Sequence, residues 1–494
     1  MPSRESSFPC SGPSGPGTEP TTRREFLRSS GAGFGVVALA AMLADEGLLA
    51  AGPGAGSQAG PIIDPLAPRL PHHEPRARNV IFLFMSGGPS HLETFDPKPE
   101  LTRFHGKPLP ESFGRVKTRR GVERNKLLAS KRTFRRCGAS GIEVSDFFPN
   151  VSRIVDDICL LRGCYGNSVT HPESVYLMNT GSIFMGRPSL GAWVSFGLGT
   201  ENRDMPSYVV LPDPKGWVKG GAPAWGNGYL SAVHQGTVLR SGKSPVLHLE
   251  PPGGTSRARQ RETLDFIQRL NREHLAGRDH DTELSARIAA YELAFRMQAR
   301  APELVGLSAE TDATRKLYGL DTKESAELGL RCLLARRLVE RGVRFVQVYC
   351  GDTNGWDAHS DIEDNHGKLC AQSDRPVAGL LEDLKARGLL ESTLVVWGGE
   401  FGRTPMTEGT NGRDHNPHGF SMWLAGGGVR GGQIIGATDE FGLRAVEERT
   451  HVHDVHATIL HLLGLDHLKL TYRHNGRDER LTENAGEVIE KALA

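Results

Sequence analysis

Asn79-Val80-Ile81-Phe82-Leu83-Phe84-Met85 is a continuous apolar run that stops abruptly at Ser86-Gly87-Gly88-Pro89. A strand with one wet face alternates apolar and polar residues. A strand covered on both faces does not, so this run predicts a buried strand of a mainly parallel sheet. Asp157–Arg162, Val343–Tyr349 and Ser392–Trp397 have the same character. Helical patterns precede the last two. Glu324–Arg341 repeats Leu and Ala at helical spacing and stops at Gly342, while Val377–Arg387 puts Leu380, Leu381 and Leu384 on one face before Gly388. Helix, glycine stop, buried strand and Gly-rich loop in that order give an α/β fold: a central, mainly parallel sheet flanked by helices. Residues 258–300 differ. They are charged and helical in period over Glu262–His274 and Glu283–Gln298, with no strand between, and read as a helical insertion beside the sheet.

The N-terminus carries Thr22-Arg23-Arg24-Glu25-Phe26-Leu27-Arg28 ahead of a weakly apolar run from Ser29 to Leu43. Paired arginines (Arg23, Arg24), then Phe-Leu, then small and apolar residues, follow the plan of a twin-arginine (Tat) export signal. The apolar run is about 15 residues, short of the ~20 that a membrane-spanning helix needs. Cleavage is expected near Ala50-Ala51. The chain therefore divides into a Tat signal peptide at 1–51, a Pro/Gly-rich linker at 52–78 and one domain at 79–494. The expected partner during export is the Tat translocase, and the expected location is periplasmic or extracellular, with no stable membrane span after cleavage. Tat passengers fold, and often take up a cofactor, before export.

The net charge of +1 gives no basic excess and argues against a nucleic-acid partner. Hydrophobic residues at 38% and charged residues at 24% leave material for a sizeable core. Cys10 lies in the expected signal, leaving Cys137, Cys159, Cys164, Cys332, Cys350 and Cys370. An even number in an oxidising compartment permits disulfides, and the absence of a CxxC pair argues against a zinc ribbon or a thioredoxin-type site. Residues 102–140 are rich in Arg and Lys and read either as a solvated loop or as a cap that attracts an anionic substrate.

Open parallel sheets place functional groups in the loops after their strands. After the first predicted strand come Ser86, His91, Glu93 and Asp96; after the second, His171, Glu173 and Ser174. After the third come Asp352, Asp357, His359 and Asp361, and after the fourth Glu400, Arg403, Asp414, His415 and His418. Imidazoles and carboxylates from distant segments thus gather at one sheet edge, as a metal-binding or acid/base centre requires. His451, His453 and His456 precede an apolar helical pattern and read as packing and capping residues.

The chain resembles the alkaline phosphatase and sulfatase superfamily, and more closely a Tat-exported bacterial branch of it described as a domain of unknown function. The likeness runs from Asn79 to about Leu470. It is carried by the opening strand with Ser86-Gly87-Gly88-Pro89-Ser90-His91, by His171–Gly181 (HPESVYLMNTG), Asn354–His359 (NGWDAH), Leu394–Pro405 (LVVWGGEFGRTP), Gly412–Pro417 (GRDHNP) and Asp454–Leu463. The resemblance implies a sulfatase-like hydrolase of sulfate or phosphate esters, with divalent metal (Zn, or Ca/Mg) and a hydroxyl or modified-Cys nucleophile. Catalytic members place an Asp where this chain has Ser86, a nucleophile where it has His171, and an Asp-His pair where it has Glu400-Phe401.

Carried over residue by residue, the resemblance implies Asp357, His359, Glu400, His415 and His418 as metal ligands. It implies His171 and Glu400 at the reaction centre, and Arg187 or Arg403 as the anion-binding group. Thr170 and Ser174 are the displaced hydroxyls nearest the nucleophile position. Three chemistries stay open: direct attack by His171, attack by water held on a metal, or a non-catalytic site. The expected substrate is a small-molecule or polysaccharide ester. The alternative is an exported envelope or binding protein that keeps the fold.

Overall fold

The computed structural model describes residues 65–240, 256–275, 289–298 and 306–494. The expected signal peptide and the first part of the linker lie outside them. Residues 65–78 contain neither helix nor strand, yet their backbone is fastened to the domain by Arg69 N to Leu198 O (3.0 Å), His72 N to Gly464 O (2.8 Å) and Ala77 N to Leu462 O (2.8 Å). Prolines keep this stretch from joining a ladder. Its amides still find partners, so from Pro65 onward it forms part of the domain surface rather than a free tether.

The central sheet is built around β1 (Asn79–Met85). The other strands in chain order are β2 (Ile158–Tyr165), β3 (Tyr208–Leu211), β4 (Thr237–Val238), β5 (Phe345–Cys350) and β6 (Thr393–Gly398). A hairpin of β7 (Gly402–Glu408) and β8 (Gly412–Asn416) follows, then β9 (Phe420–Ala425), β10 (Gln433–Ile435) and β11 (Thr450–His451). The sheet order is β10-β2-β9-β6-β1-β5-β3-β4, with β11 also paired to β2. Within this sheet β9 alone runs antiparallel to its neighbours, β2 and β6. The apolar runs predicted as strands all lie in this sheet.

β1 is flanked in parallel by β5 and β6, and its side chains divide cleanly between two cores. Val80, Phe82 and Phe84 enter one cluster with α1 (His171–Thr180), α2 (Leu190–Leu198) and α6 (Val452–Leu462). Ile81, Leu83 and Met85 enter the other with α4 (Ala326–Glu340) and α5 (Ile362–Ala386). Burial on both sides is the physical reason that β1 shows no alternation. α3 (Arg257–Leu275) and a helical stretch at 289–298 form the expected helical insertion. α5 begins at Ile362, earlier than the apolar pattern suggested, because it continues through Pro376 and buries His366, Cys370 and Asp374 ahead of that proline. The Asp374 carboxylate accepts the Val151 amide at 2.8 Å, tying this early part of α5 to the core.

Of the histidines expected to serve packing and capping, His451 caps α6, accepting the His453 amide at 3.2 Å. His453 Nε2 and His456 Nε2 sit 2.7 Å from the carbonyls of Gly181 and Met178, fixing α6 against α1. All cysteines among the described residues are free, and Cys159, Cys164, Cys332, Cys350 and Cys370 are buried. Burial pushes the thiols of Cys159 and Cys332 up to about 12.

Candidate metal and active centre

The loops after β1, β2, β5 and β6 meet at the carboxyl edge of the sheet, and the β7–β8 hairpin closes over them. Gly87, directly after β1, has a positive φ of 105°. A Cβ there would lie 2.6 Å from the Asp357 amide, so only glycine lets the β1 and β5 loops approach this closely. The freed Gly87 N–H donates to Glu400 Oε1 at 2.9 Å. Backbone geometry thereby fixes the first catalytic candidate from the β6 loop.

Asp357 is the hub. Its Oδ1 lies 3.0 Å from His359 Nε2, 3.1 Å from His415 Nε2 and 2.9 Å from Arg403 Nη1. Its Oδ2 lies 2.6 Å from Lys219 Nζ and 2.9 Å from His171 Nε2. Burial alone would raise the Asp357 carboxyl. The close imidazoles of His171, His359 and His415, with the Arg403 guanidinium, outweigh it and hold the group well below the usual carboxylate range. Burial pushes the His415 imidazole down to about 3 despite Asp357. That imidazole is therefore neutral, as a metal ligand must be.

The far nitrogens of the three imidazoles are all engaged. His171 Nδ1 meets Glu400 Oε1 at 2.7 Å, His359 Nδ1 meets Glu408 Oε2 at 2.5 Å, and His415 Nδ1 meets the Val169 carbonyl at 2.7 Å. Carboxylates and carbonyls on Nδ1 hold each ring so that Nε2 faces the centre, which is how metal-binding histidines are oriented. His171 Nε2 is buried and its contact with Asp357 is not a hydrogen bond, so it is left without a hydrogen-bond partner. His171, Asp357 and His415 each bring one ligand atom to within 4.8 Å of the others, and so do His359, Asp414 and His415. This donor set fits a divalent cation. Of the two cations that face Asp357, Arg403 is fully buried and bonded to the carbonyls of Gly87 and Gly88, whereas Lys219 is partly exposed and can swing away.

The structure thus brings together His171, Asp357, His359, Glu400, Arg403 and His415, but with altered parts. Glu400 holds His171 and the Gly87 amide rather than facing the cluster's centre. Arg403 braces Asp357 and loop carbonyls, which leaves it unsuited to bind an anion from solvent. Arg187 is engaged elsewhere, with Glu479 at 2.6 Å and Glu483 at 3.7 Å. His418 belongs to neither candidate ligand group: its ring faces the Lys117 backbone, Arg444 and Arg449. One residue past the hairpin strand that carries His415, the chain has turned at Pro417, and His418 follows it away.

Phe401 fills the position where an imidazole was missing. It is buried and packs its ring 4.5 Å from that of His415 and 4.8 Å from that of His171. Ser174 Oγ donates to the Ser168 carbonyl at 2.8 Å, and Ser86 Oγ is buried without a partner. Neither hydroxyl touches Asp357.

Sequence reasoning missed Lys219 and Glu408 and gave Asp414 no ligand role. Lys219 stands in a loop after β3 that has no motif around it. The basic segment supplies part of the roof: the Arg120 amide donates to Asp414 Oδ2 at 2.7 Å, and the Arg120 side chain pairs with Glu408 at 2.9 Å. Most of the other basic side chains of that segment are exposed, as a solvated loop would have them.

Imidazoles and carboxylates converge at the carboxyl edge of a mainly parallel, helix-flanked sheet, which defines an α/β protein with a candidate metal centre. The chain belongs to the family described as "Protein of unknown function (DUF1501)", whose model matches residues 77–493. No curated protein matches it in sequence. Among solved structures it is similar to the PsFucS1 sulfatase from Pseudoalteromonas sp., at 13% identity over 79% of this chain and 68% of that one, with a TM-score of 0.33. It is similar to the lipoteichoic acid synthase LtaP from Listeria monocytogenes, at 9% identity over 87% and 81% of the two chains, TM-score 0.37. It is also similar to the phosphonate monoester hydrolase of Agrobacterium radiobacter, at 11% identity over 79% and 74%, TM-score 0.33.

Proposed function

We propose that this protein is an exported, metal-dependent hydrolase of sulfate or phosphate esters. The observation that carries the reading is the set of imidazoles whose Nδ1 atoms are each held by an acceptor while their Nε2 atoms converge on one buried carboxylate. A divalent cation, Zn or Ca/Mg, held by Asp357, His171, His415 and their neighbours would polarise an ester oxygen and lower the pKa of water. The chain's own groups do the rest. Glu400 Oε1 holds the His171 Nδ1 proton and fixes the ring, Arg403 keeps Asp357 ionised, and Phe401 excludes water from one side. Lys219, partly exposed beside Asp357, takes the anion-binding part expected of Arg187 or Arg403.

Export by the Tat pathway is part of the proposal and rests on Arg23, Arg24 and the apolar run after them. Buried, unpaired thiols support it, since a passenger that folds in the reducing cytoplasm has no need of disulfides. Among the described residues no helix is long and apolar enough to cross a membrane.

A second reading, an exported binding protein that keeps the fold, is favoured by one observation: the hydroxyls of Ser86 and Ser174 make no hydrogen bond to the Asp357 cluster. Elemental analysis of the purified protein, paired with turnover of a panel of aryl sulfates and phosphates, separates the two. The hydrolase reading expects stoichiometric metal and turnover that disappears in Asp357→Ala. Absence of both metal and turnover overturns it.

A further inference from the structure

Between α4, α5 and the loops after β3 and β5 lies a cavity of about 280 Å³, whose lining shares no residue with the Asp357 centre. Arg331 and Trp356 both line it, and they are 5% and 1% exposed. Each carries a buried N–H that finds no acceptor, at Arg331 Nε and at Trp356 Nε1. Buried donors are paired as a rule, because an unmet one has given up water for nothing. Two unmet donors on the walls of one small cavity point to a guest that brings acceptors.

The remainder of the Arg331 guanidinium is already engaged. Its Nη1 donates to the Tyr349 carbonyl, and its Nη2 pairs with Asp213 at 3.0 Å. Asp213 in turn accepts the Gly351 amide at 3.1 Å. These bonds hold Nε in one place, and Asp213 offsets the charge of the arginine. The indole is placed from the other side. A Cβ on Gly351 would meet Trp356 Cδ1, the carbon bonded to Nε1, at 3.5 Å. The Nε1 edge of the ring therefore lies beside Gly351, which also lines the cavity.

Charges of both signs stand at the mouth, where Lys215, Lys323, Glu324 and Glu327 are exposed. A simple anion would meet the two glutamates there, and a simple cation the two lysines. A guest with one charge of each sign avoids both conflicts: its carboxylate accepts from the two unmet donors and its ammonium faces a glutamate. The volume falls just below the roughly 300 Å³ at which pockets for drug-sized ligands begin, so the guest is small.

We propose that this cavity binds a free α-amino acid, with the carboxylate turned inward to Arg331 and Trp356 and the ammonium towards Glu324 or Glu327. The site stands whether or not the Asp357 centre is hydrolytic.

The test is calorimetric titration of the protein as purified with L-alanine, L-serine and L-glutamine. Two analogues of alanine accompany them: L-lactate, which lacks the ammonium, and L-alaninamide, which lacks the carboxylate. L-Alanine is expected to bind about tenfold or more tightly than either analogue. Trp356→Phe removes the indole N–H and should weaken the amino acids by about tenfold. The exposed pair Glu324→Gln with Glu327→Gln leaves the interior untouched and should bring alanine down to the level of lactate. Absence of binding by all three amino acids, as in a cavity that holds only water, overturns the site, and so does an analogue that binds as tightly as alanine. An affinity unmoved by the glutamate pair also overturns it, since an amino acid bound at the Asp357 centre instead would give that result.

Discussion

His171 and Glu400 meet at 2.7 Å through Nδ1 and Oε1, although 229 positions separate them in the chain. Glu400 also accepts the Gly87 amide at 2.9 Å, so one carboxylate fixes both a loop and a ring. The ring, in turn, aims Nε2 at Asp357.

Replacing Glu400 by Gln keeps the shape and removes the charge that holds the His171 tautomer. Second-sphere carboxylates of this kind are worth about 10- to 100-fold in metal affinity. Glu400→Gln is therefore expected to weaken zinc binding by that factor while leaving the far-ultraviolet circular dichroism spectrum intact. Competition with a chromogenic chelator measures it, and an unchanged affinity would show that Glu400 supports the Gly87 loop alone.

Lys219 and a metal ion compete for the same carboxylate. With Nζ 2.6 Å from Asp357 Oδ2, the lysine neutralises part of the charge that a cation would use. Lys219→Met is expected to tighten divalent-metal binding and to weaken inhibition by inorganic sulfate or phosphate by about tenfold, the loss of one charge-assisted contact. A variant weakened in both respects would place Lys219 in structural support of the loop.

The cysteines give a prediction about export. Cys159, Cys164, Cys332, Cys350 and Cys370 are buried and Cys137 is partly exposed, none of them in a disulfide. Mature protein recovered from the periplasm and unfolded in denaturant should titrate all of these thiols with a chromogenic disulfide, whereas native protein should react only at Cys137. Recovery of fewer thiols after unfolding would mean that pairs form outside the cytoplasm and would remove that support for a folded passenger.

The fold was legible because burial on both faces leaves a mark that composition cannot hide. β1 is an unbroken apolar run after Asn79, β2, β5 and β6 are apolar apart from Arg162, Gln347 and Thr393, and glycines close the helices before two of them. The site was legible only as far as loops after strands can be enumerated, which found Asp357, His359, Glu400 and His415. Direction was not legible. Arg403 and His418 stand in or beside the same Gly-rich segments as the centre, yet one is turned inward as a brace and the other away. Such choices depend on the close packing of Gly402 on His91 and on the bend at Pro417, which sequence spacing does not encode. Lys219 lay beyond reach for a further reason: it comes from the loop between β3 and the edge strand β4 and is brought in by packing of Gly216 on Thr353.

Buried histidines make this domain sensitive to mild acid. His366 and His456 are fully enclosed, and burial pushes each imidazole from an ordinary 6.5 down to about 3. Glu93 faces His366 and pulls it up, with Arg403 and Arg413 pushing down; His453 and His451 push His456 down further. His366 Nε2 accepts the Ser90 amide at 2.9 Å, a bond that exists only while that nitrogen is unprotonated. Above pH 6.5 neither the folded nor the unfolded chain protonates these rings, and the full stability is present. Below it the unfolded chain takes up protons that the native state refuses, so stability falls from pH 6.5 towards about 3. Each ring contributes a slope on the order of 1 kcal/mol per pH unit in that window. Urea midpoints measured from pH 7.5 to about 5, above the range where ordinary carboxylates titrate, should therefore decline. His366→Gln supplies an amide oxygen for the Ser90 N–H without a titrating ring, and its decline should be shallower by one such increment. A parent and variant with the same pH slope would mean that His366 is protonated in the folded protein, contrary to the enclosure that the fold gives it.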